Sequence, residues 1–254
     1  MTRLFRDTWL LFVSNMRITL RTPAWVIMGL FQPICYMLLF APLLNSLANI
    51  PGFPPGGTFN VFTPGVLIMT AIFSVSFAGF GLIANLRTGV IERLRVTPVS
   101  RMALLLGMVM RDVVILLVQS VLLVVLAFIM GLRPNLPGLL LLLPLLILIG
   151  LLMSSCSYGL AITLKNENAL AATVNFFAVP LLLLSGITLP LTLAPDILRN
   201  IARVNPFAYA VDAARALVNG DLGSLPVMES FALFLLLTAL SLFWASRLMR
   251  RATM

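Results

Sequence analysis

The run VFTPGVLIMTAIFSVSFAGFGLIANL (61–86) closes a stretch of 65 residues, from Thr22 to Leu86, that contains no charged side chain. Because about 20 consecutive apolar residues cross a bilayer as a helix, this stretch is too long for one membrane span. Proline and glycine cluster in IPGFPPGGTFN (50–60), where they prevent a continuous helix. The stretch therefore predicts two membrane spans, near 24–47 and near 60–86.

The composition of the whole chain indicates an all-α integral membrane protein. Of its 254 residues, 61% are hydrophobic and 10% are charged, whereas soluble domains usually carry about 25% charged residues. Further apolar runs predict four more spans, near 102–130, 137–164, 169–189 and 226–246. We therefore expect residues 1–254 to form one transmembrane domain with six membrane-spanning helices.

The first 22 residues predict a helix that lies in the membrane interface. Apolar side chains, among them Phe5, Trp9 and Leu20, recur at spacings of three and four, while arginines fall largely on another side. This pattern is typical of an amphipathic helix whose arginines face lipid phosphates.

The basic residues divide unevenly between the two faces that six spans define. Thirteen of the 17 fall in the N-terminal segment, in residues 87–111, at Lys165 and near the C-terminus. Cytoplasmic loops of membrane proteins carry such an excess of arginine and lysine. We therefore predict that both termini and the loop at 87–101 are cytoplasmic. The segment 190–225 is then external, and its mixture of apolar, charged and proline residues predicts short re-entrant helices.

The loop GVIERLRVTPVSR (89–101) gathers four charged residues between two apolar runs. Thr97 and Pro98 are typical of a helix start, since threonine is a favoured N-cap and proline is tolerated at the first helical position. Position alone leaves two interpretations open. The loop is either a topology anchor or a short amphipathic helix that presents its charges to a partner.

The residue types that the sequence lacks argue against several functional classes. It has no histidine, the commonest metal ligand and general base, so we expect no metal site. It contains no G-x-x-x-x-G-K-[ST] phosphate loop, so ATP-driven work requires another subunit. The net charge of +9 agrees with basic cytoplasmic loops, and no nucleic-acid partner is expected.

Three parts of the sequence carry a family resemblance. They are the E-x-x-x-x-x-P element from Glu92 to Pro98, the run LLLLSGITLP (181–190), and LAPDILRNIARVNPFAYAVDAARALVNG (193–220), with an Asn-Pro pair upstream of Arg215. Together they resemble the membrane (permease) subunits of type-2 ABC exporters, in particular the daunorubicin-resistance-type and nodulation-type permeases. The interfacial helix, six spans and internal termini are similar too, so the resemblance covers almost the whole chain.

The resemblance implies that membrane transport and ATP hydrolysis are carried out by different subunits. Residues 87–97 would form a coupling helix that docks on a separate ABC ATPase. That partner would bind ATP and Mg, while this chain would bind no cofactor and carry no catalytic residue. A second permease chain, identical or different, would complete the pathway in the bacterial cytoplasmic (inner) membrane. The implied ATPase-coupling residues are Arg87, Glu92, Arg93, Leu94, Arg95, Thr97 and Pro98.

In the family the second and fifth spans line the dimer interface, which implies a substrate path there. An uncharged, aromatic path suits a hydrophobic or amphipathic substrate such as a drug, lipid or glycolipid. Each aromatic residue is also compatible with ordinary packing or lipid contact. The candidates for the path are Phe73, Phe77, Phe80, Asn175, Phe176 and Phe177, and those for the external re-entrant segment are Pro190, Pro195, Asn205, Pro206 and Arg215.

Two alternatives belong to other classes of protein. An ion-coupled secondary transporter needs an ionisable group deep in the membrane. Asp112 is the deepest acid here, but we expect it to pair with the adjacent Arg111. A membrane-embedded enzyme would need a serine within hydrogen-bond reach of a base. Ser157 and Lys165 are the nearest such pair, and they stand about two helical turns apart.

Overall fold

The computed structural model describes residues 2–22, 24–45, 58–89, 100–187 and 195–252. These ranges contain α-helices and no strand, so the predicted all-α class is confirmed. The helices are α1 (Thr2–Arg21), α2 (Ala24–Asn45), α3 (Thr58–Ser76), α4 (Gly79–Arg87), α5 (Arg101–Met130), α6 (Leu136–Leu164), α7 (Glu167–Leu183), α8 (Asp196–Ala202), α9 (Pro206–Asn219) and α10 (Leu225–Ala252).

Four helical stretches in the described part of the chain are long and apolar enough to cross a membrane. They are Thr58–Arg87, Arg101–Met130, Leu136–Leu164 and Leu225–Arg251. The axes of Leu4–Arg21 and Val26–Phe40 are inclined at 69°, and this bent pair makes a fifth candidate. Helix α7 is apolar, but its 17 residues extend about 25 Å, less than the roughly 30 Å of a hydrocarbon core. A total of six spans therefore stays a prediction.

Polar side chains fix where several helices begin. Ser100 caps α5, because its Oγ accepts a hydrogen bond from the Ala103 amide at 3.1 Å. The helix start that the sequence predicts at Thr97 lies outside the described residues. Asn135 caps α6 in the same way through the Gly138 amide, also at 3.1 Å.

Two apolar clusters form the interior of the helical bundle. The larger surrounds α3, which packs against α2, α5, α6 and α9. The smaller lies between α4, α5, α6 and the last turns of α10, around Tyr158. Helices α6 and α10 approach closely at Gly159, where an added Cβ would lie 2.1 Å from the Trp244 ring. The two clusters lie toward opposite ends of the long helices.

Polar contacts identify which chain segments share each end of the bundle. At one end the Arg101 guanidinium donates to the Arg250 carbonyl oxygen at 2.9 Å, joining the start of α5 to the last turns of α10. At the other end Asn60 donates to the Arg133 carbonyl oxygen at 3.1 Å and to the Asn219 side chain at 3.4 Å. This grouping agrees with the predicted faces, on which 101 and 250 are cytoplasmic and 133 and 219 are external.

Helix α1 packs along α5 and leaves much of its apolar surface exposed. The close approach occurs at Gly107, where an added Cβ would lie 2.9 Å from the Leu11 Cβ. Phe5 is 75% exposed and Trp9 is 52% exposed. Such a surface suits contact with lipid, in keeping with the predicted interfacial helix.

Candidate functional site

The end of α4 leads directly toward the predicted coupling residues. Arg87 is the last residue of this helix, and its Nη1 lies 3.3 Å from the Glu167 Oε1 at the start of α7. Both side chains are exposed. The remaining predicted coupling residues lie outside the described residues, so their role stays a prediction. They are Glu92, Arg93, Leu94, Arg95, Thr97 and Pro98.

The helical path from Thr58 to Arg87 is interrupted at residues 77–78, between α3 and α4. Ser157 of α6 bridges the interruption, since its hydroxyl donates to the Ser76 carbonyl oxygen at 2.6 Å and accepts from the Gly79 amide at 2.9 Å. Gly79 permits this approach, because an added Cβ would lie 2.7 Å from the Ser157 carbonyl oxygen. The sequence predicted a single span here without a break. The small residues around 78–81 were the only signal.

A buried polar cluster joins α5 to α6. Arg111 donates to the Asp112 Oδ1 through Nε at 2.9 Å and through Nη2 at 2.6 Å. Tyr158 donates to the other carboxylate oxygen of Asp112 and accepts from Arg111 at 3.2 Å. The structure therefore contains the predicted ion pair, and it adds Tyr158, which the sequence analysis missed. With both oxygens engaged, Asp112 has the partners of a structural ion pair.

The serines of α6 do not form the pair that a serine–lysine enzyme requires. The Ser157 hydroxyl is engaged by the backbone of Ser76 and Gly79. Lys165 is the exposed residue that ends α6. The Ser154 hydroxyl donates to the Leu151 carbonyl oxygen of its own helix at 3.3 Å. This arrangement argues against the membrane-enzyme alternative.

The predicted path residues fall into two sets with different surroundings. Phe73, Phe77 and Phe80 are partly buried against the apolar clusters, and the rings of Phe77 and Phe80 are 5.4 Å apart. On α7, Asn175 is exposed, while Phe176 and Phe177 are 73% and 59% exposed. No ring contact joins the two sets within the described part of the chain.

The predicted external segment is tied to the rest of the bundle by its asparagine and arginine. Asn205 caps α9 by accepting from the Phe207 amide at 3.0 Å, and it donates to the Leu181 carbonyl oxygen of α7 at 2.7 Å. Pro206 is the first residue of α9, where its missing N–H costs nothing. Pro195 precedes α8, and Pro190 lies outside the described residues.

Arg215 connects three parts of the chain at the same end of the bundle. Its Nε donates to the Val61 carbonyl oxygen at 3.0 Å, and its Nη2 donates to the Gly186 carbonyl oxygen at 2.7 Å. Burial lowers the pKa of this guanidinium below its ordinary value, and the Asp212 carboxylate opposes that shift. Arg215 thus fastens α9 to the first turn of α3 and to the chain that follows α7.

Comparison with known proteins gives a family match over most of the chain. Residues 6–219 match the family described as "ABC-2 type transporter". Relatives named "Putative transport permease ycf38" include that of Pyropia yezoensis, 29% identical over 78% of this chain and 68% of the relative. The protein of the same name from Porphyra purpurea is 27% identical over 84% of this chain and 70% of the relative. That of Cyanophora paradoxa is 26% identical over 78% of this chain and 69% of the relative.

Proposed function

This chain belongs to the ABC-2 type transporter family, and we propose that it is the permease of an ATP-driven exporter that works with a separate ATPase subunit. Family membership and the membrane-spanning helices make it a transmembrane transporter subunit and not an enzyme. The proposal adds the energy source, the direction of transport, the partners and the class of substrate.

The observation that carries the proposal is the route from a membrane span into the charged loop. The span Thr58–Arg87 ends at an exposed arginine, and the chain continues into Glu92, Arg93 and Arg95. This loop opens at the bundle end where α5 starts and α10 finishes. The described residues on both sides of the charged segment lie at that end. We therefore propose that a soluble subunit docks there, and that movement transmitted through Arg87 acts directly on the second span.

We further propose six spans, with α2 as the first and α7 as the fifth. Both termini are then cytoplasmic, in the bacterial inner membrane. The 14 residues of α9 and the 7 residues of α8 are too short to cross a bilayer. Helix α9 nevertheless packs against α3, α6 and α10. These features support re-entrant helices at the external end of the bundle.

The exposed side of α7 supports a path shared with a second permease chain. Its apolar side chains include Phe176, Phe177 and Leu183, which is 65% exposed. These residues carry no charge, so a path along them suits a hydrophobic or amphipathic substrate such as a drug, a lipid or a glycolipid. A second chain, identical or different, would close the other side of this path.

The test is purification of the tagged chain from native membranes in mild detergent, with mass spectrometry of the proteins that accompany it. We expect a stoichiometric ABC ATPase with the unmodified chain and its loss with Glu92→Arg. Glu229→Arg is the matched control, because it reverses an exposed acidic residue at the opposite end of the bundle. Recovery of the chain without an ATPase, or equal loss in both variants, would contradict the proposal.

A further inference from the structure

The two helices of the second span are held in the bundle to very different degrees. In α3, 16 of 19 residues are buried. In α4, three of nine are buried, namely Gly79, Leu82 and Ile83. Helix α3 packs against neighbours on several sides, whereas α4 packs mainly against α6 and α7. Helix α3 is therefore held in place by the bundle, whereas α4 has fewer packing contacts that oppose its rotation.

The hydrogen-bond pattern changes where the two helices meet. The Ala78 amide bonds to the Val75 carbonyl oxygen and the Phe80 amide to the Phe77 carbonyl oxygen, each at 3.1 Å and each three residues back. This tighter pattern leaves the Ser76 carbonyl and the Gly79 amide without helical partners. The Ser157 hydroxyl supplies both bonds from the neighbouring helix. One side chain of α6 therefore completes the junction.

The opposite end of α4 has a much weaker attachment. Its ion pair, between Arg87 and Glu167, joins side chains that are 58% and 44% exposed. Water and salt screen such a pair. A force applied beyond residue 89 would therefore release this end before it released the buried junction at Ser157.

We infer that Ser157 is a positioning residue for energy coupling: it holds the junction of α3 and α4 as a pivot, about which α4 turns as a lever. The inference rests on the proposed function, in which the coupling segment 87–97 docks on the ATPase. The nine residues of α4 extend about 13 Å, so a turn of about 15° moves the Arg87 end by about 3 Å. The turn would also reorient Phe80, which lies in the first turn of α4 beside the pivot.

The test measures a distance from α4 to α5 with spin labels, by double electron–electron resonance on the full chain in lipid nanodiscs. The labels are attached to Ala84→Cys and Met110→Cys, both at exposed positions, after Cys35 and Cys156 have been replaced by alanine. Ala84 lies about 7.5 Å along α4 from the pivot, so we expect Ser157→Ala to shift the mean distance by about 2 Å, since the lever loses its pivot contact.

Two pairs of variants distinguish loss of the pivot contact from a general loosening of helix packing. Ser155→Ala is the control for Ser157→Ala, because Ser155 is fully buried on the same helix and its hydroxyl has no hydrogen-bond partner among the described residues. Gly79→Ala would press against the Ser157 carbonyl oxygen and should also shift the distance. Its control is Gly81→Ala, since a Cβ there meets no atom within 4 Å.

A shift in Ser157→Ala and Gly79→Ala, with both controls unchanged, would support the pivot. Identical distances in all folded variants, or an equal shift in either control, would overturn it. These distances are read without the ATPase, so they are independent of the co-purification that tests the proposed function.

A second measurement distinguishes positioning from a purely structural contact. In the complex with the co-purified ATPase, vanadate trapping should move the label on α4 of the unmodified chain by about 2 Å. Ser157→Ala should lose this nucleotide-dependent movement while Ser155→Ala retains it. Retention of the full movement in Ser157→Ala would show that the hydroxyl only completes the helix, and would overturn the inference.

Discussion

In the proposed topology the second span has its Thr58 end outside and its Arg87 end in the cytoplasm, and these external and cytoplasmic ends are anchored by different kinds of contact. At the external end, Asn60 and Arg215 bond to backbone carbonyl oxygens of other segments while themselves buried. At the cytoplasmic end, the last contact is the exposed pair of Arg87 and Glu167. Buried bonds to backbone are costly to break, whereas exposed ion pairs are not. The external end is therefore held rigidly, whereas the cytoplasmic end, where a partner is proposed to dock, can move at little cost in free energy.

The largest loss of stability is expected at Arg215. Arg215→Ala leaves the Val61 and Gly186 carbonyl oxygens without their donor, and we expect a loss of about 3 kcal/mol in the free energy of unfolding in detergent. Arg215→Lys should recover only part of this loss, because an ammonium lacks the planar fork of donors. Arg203→Ala, at an exposed position, is the control. A loss at Arg215 no greater than at Arg203 would show that the external end is not anchored as described.

A smaller loss is expected from a single methyl group at Gly138. An added Cβ would lie 1.7 Å from the Leu217 carbonyl oxygen, so Gly138→Ala should force α6 and α9 apart. We expect a loss of about 2 kcal/mol, seen as a lower thermal transition in detergent. Gly223→Ala is matched to it, since no atom lies within 4 Å of that Cβ. Equal transitions in the two variants would mean that the contact between α6 and α9 relaxes without cost.

Tyr158 refines the comparison of the two ends, because it makes a buried hydrogen bond in the cytoplasmic half of the bundle. Tyr158→Phe removes a donor to the buried Asp112 carboxylate, and we expect a loss of about 1 kcal/mol. Tyr209→Phe removes a comparable hydroxyl that donates to the Arg203 carbonyl oxygen at 3.0 Å in an exposed position. Chemical unfolding should rank Tyr158→Phe as the more damaging change. The reverse order would contradict the structural role of this cluster.

The smallest effect is expected from the ion pair of Arg87 and Glu167. A double-mutant cycle with Arg87→Ala and Glu167→Ala should give a coupling energy of about 0.5 kcal/mol or less, decreasing as salt is added. A coupling energy as large as the loss at Arg215 would remove the difference between the two ends of the span.

Parts of the candidate site could be predicted because their signals are local. The asparagine–proline pair at 205–206 starts a helix by its own chemistry, and Arg111 is adjacent in sequence to Asp112. The link from Ser157 to residues 76 and 79 could not be predicted in this way, because it spans about eighty positions and depends on how α6 lies against the second span. The same is true of Arg215, whose partners lie on two distant segments.

The sequence by itself determined that this protein lies in a lipid membrane and that its secondary structure is helical. Backbone groups in lipid find no water, and a charge-free run of 65 residues without polar alternation satisfies most of them with the hydrogen bonds of its own helices. Only the tertiary structure decided where a helix stops being continuous within the membrane. The break between α3 and α4 is tolerated because Ser157 on another helix satisfies the freed backbone groups. That partner exists only once the bundle has packed.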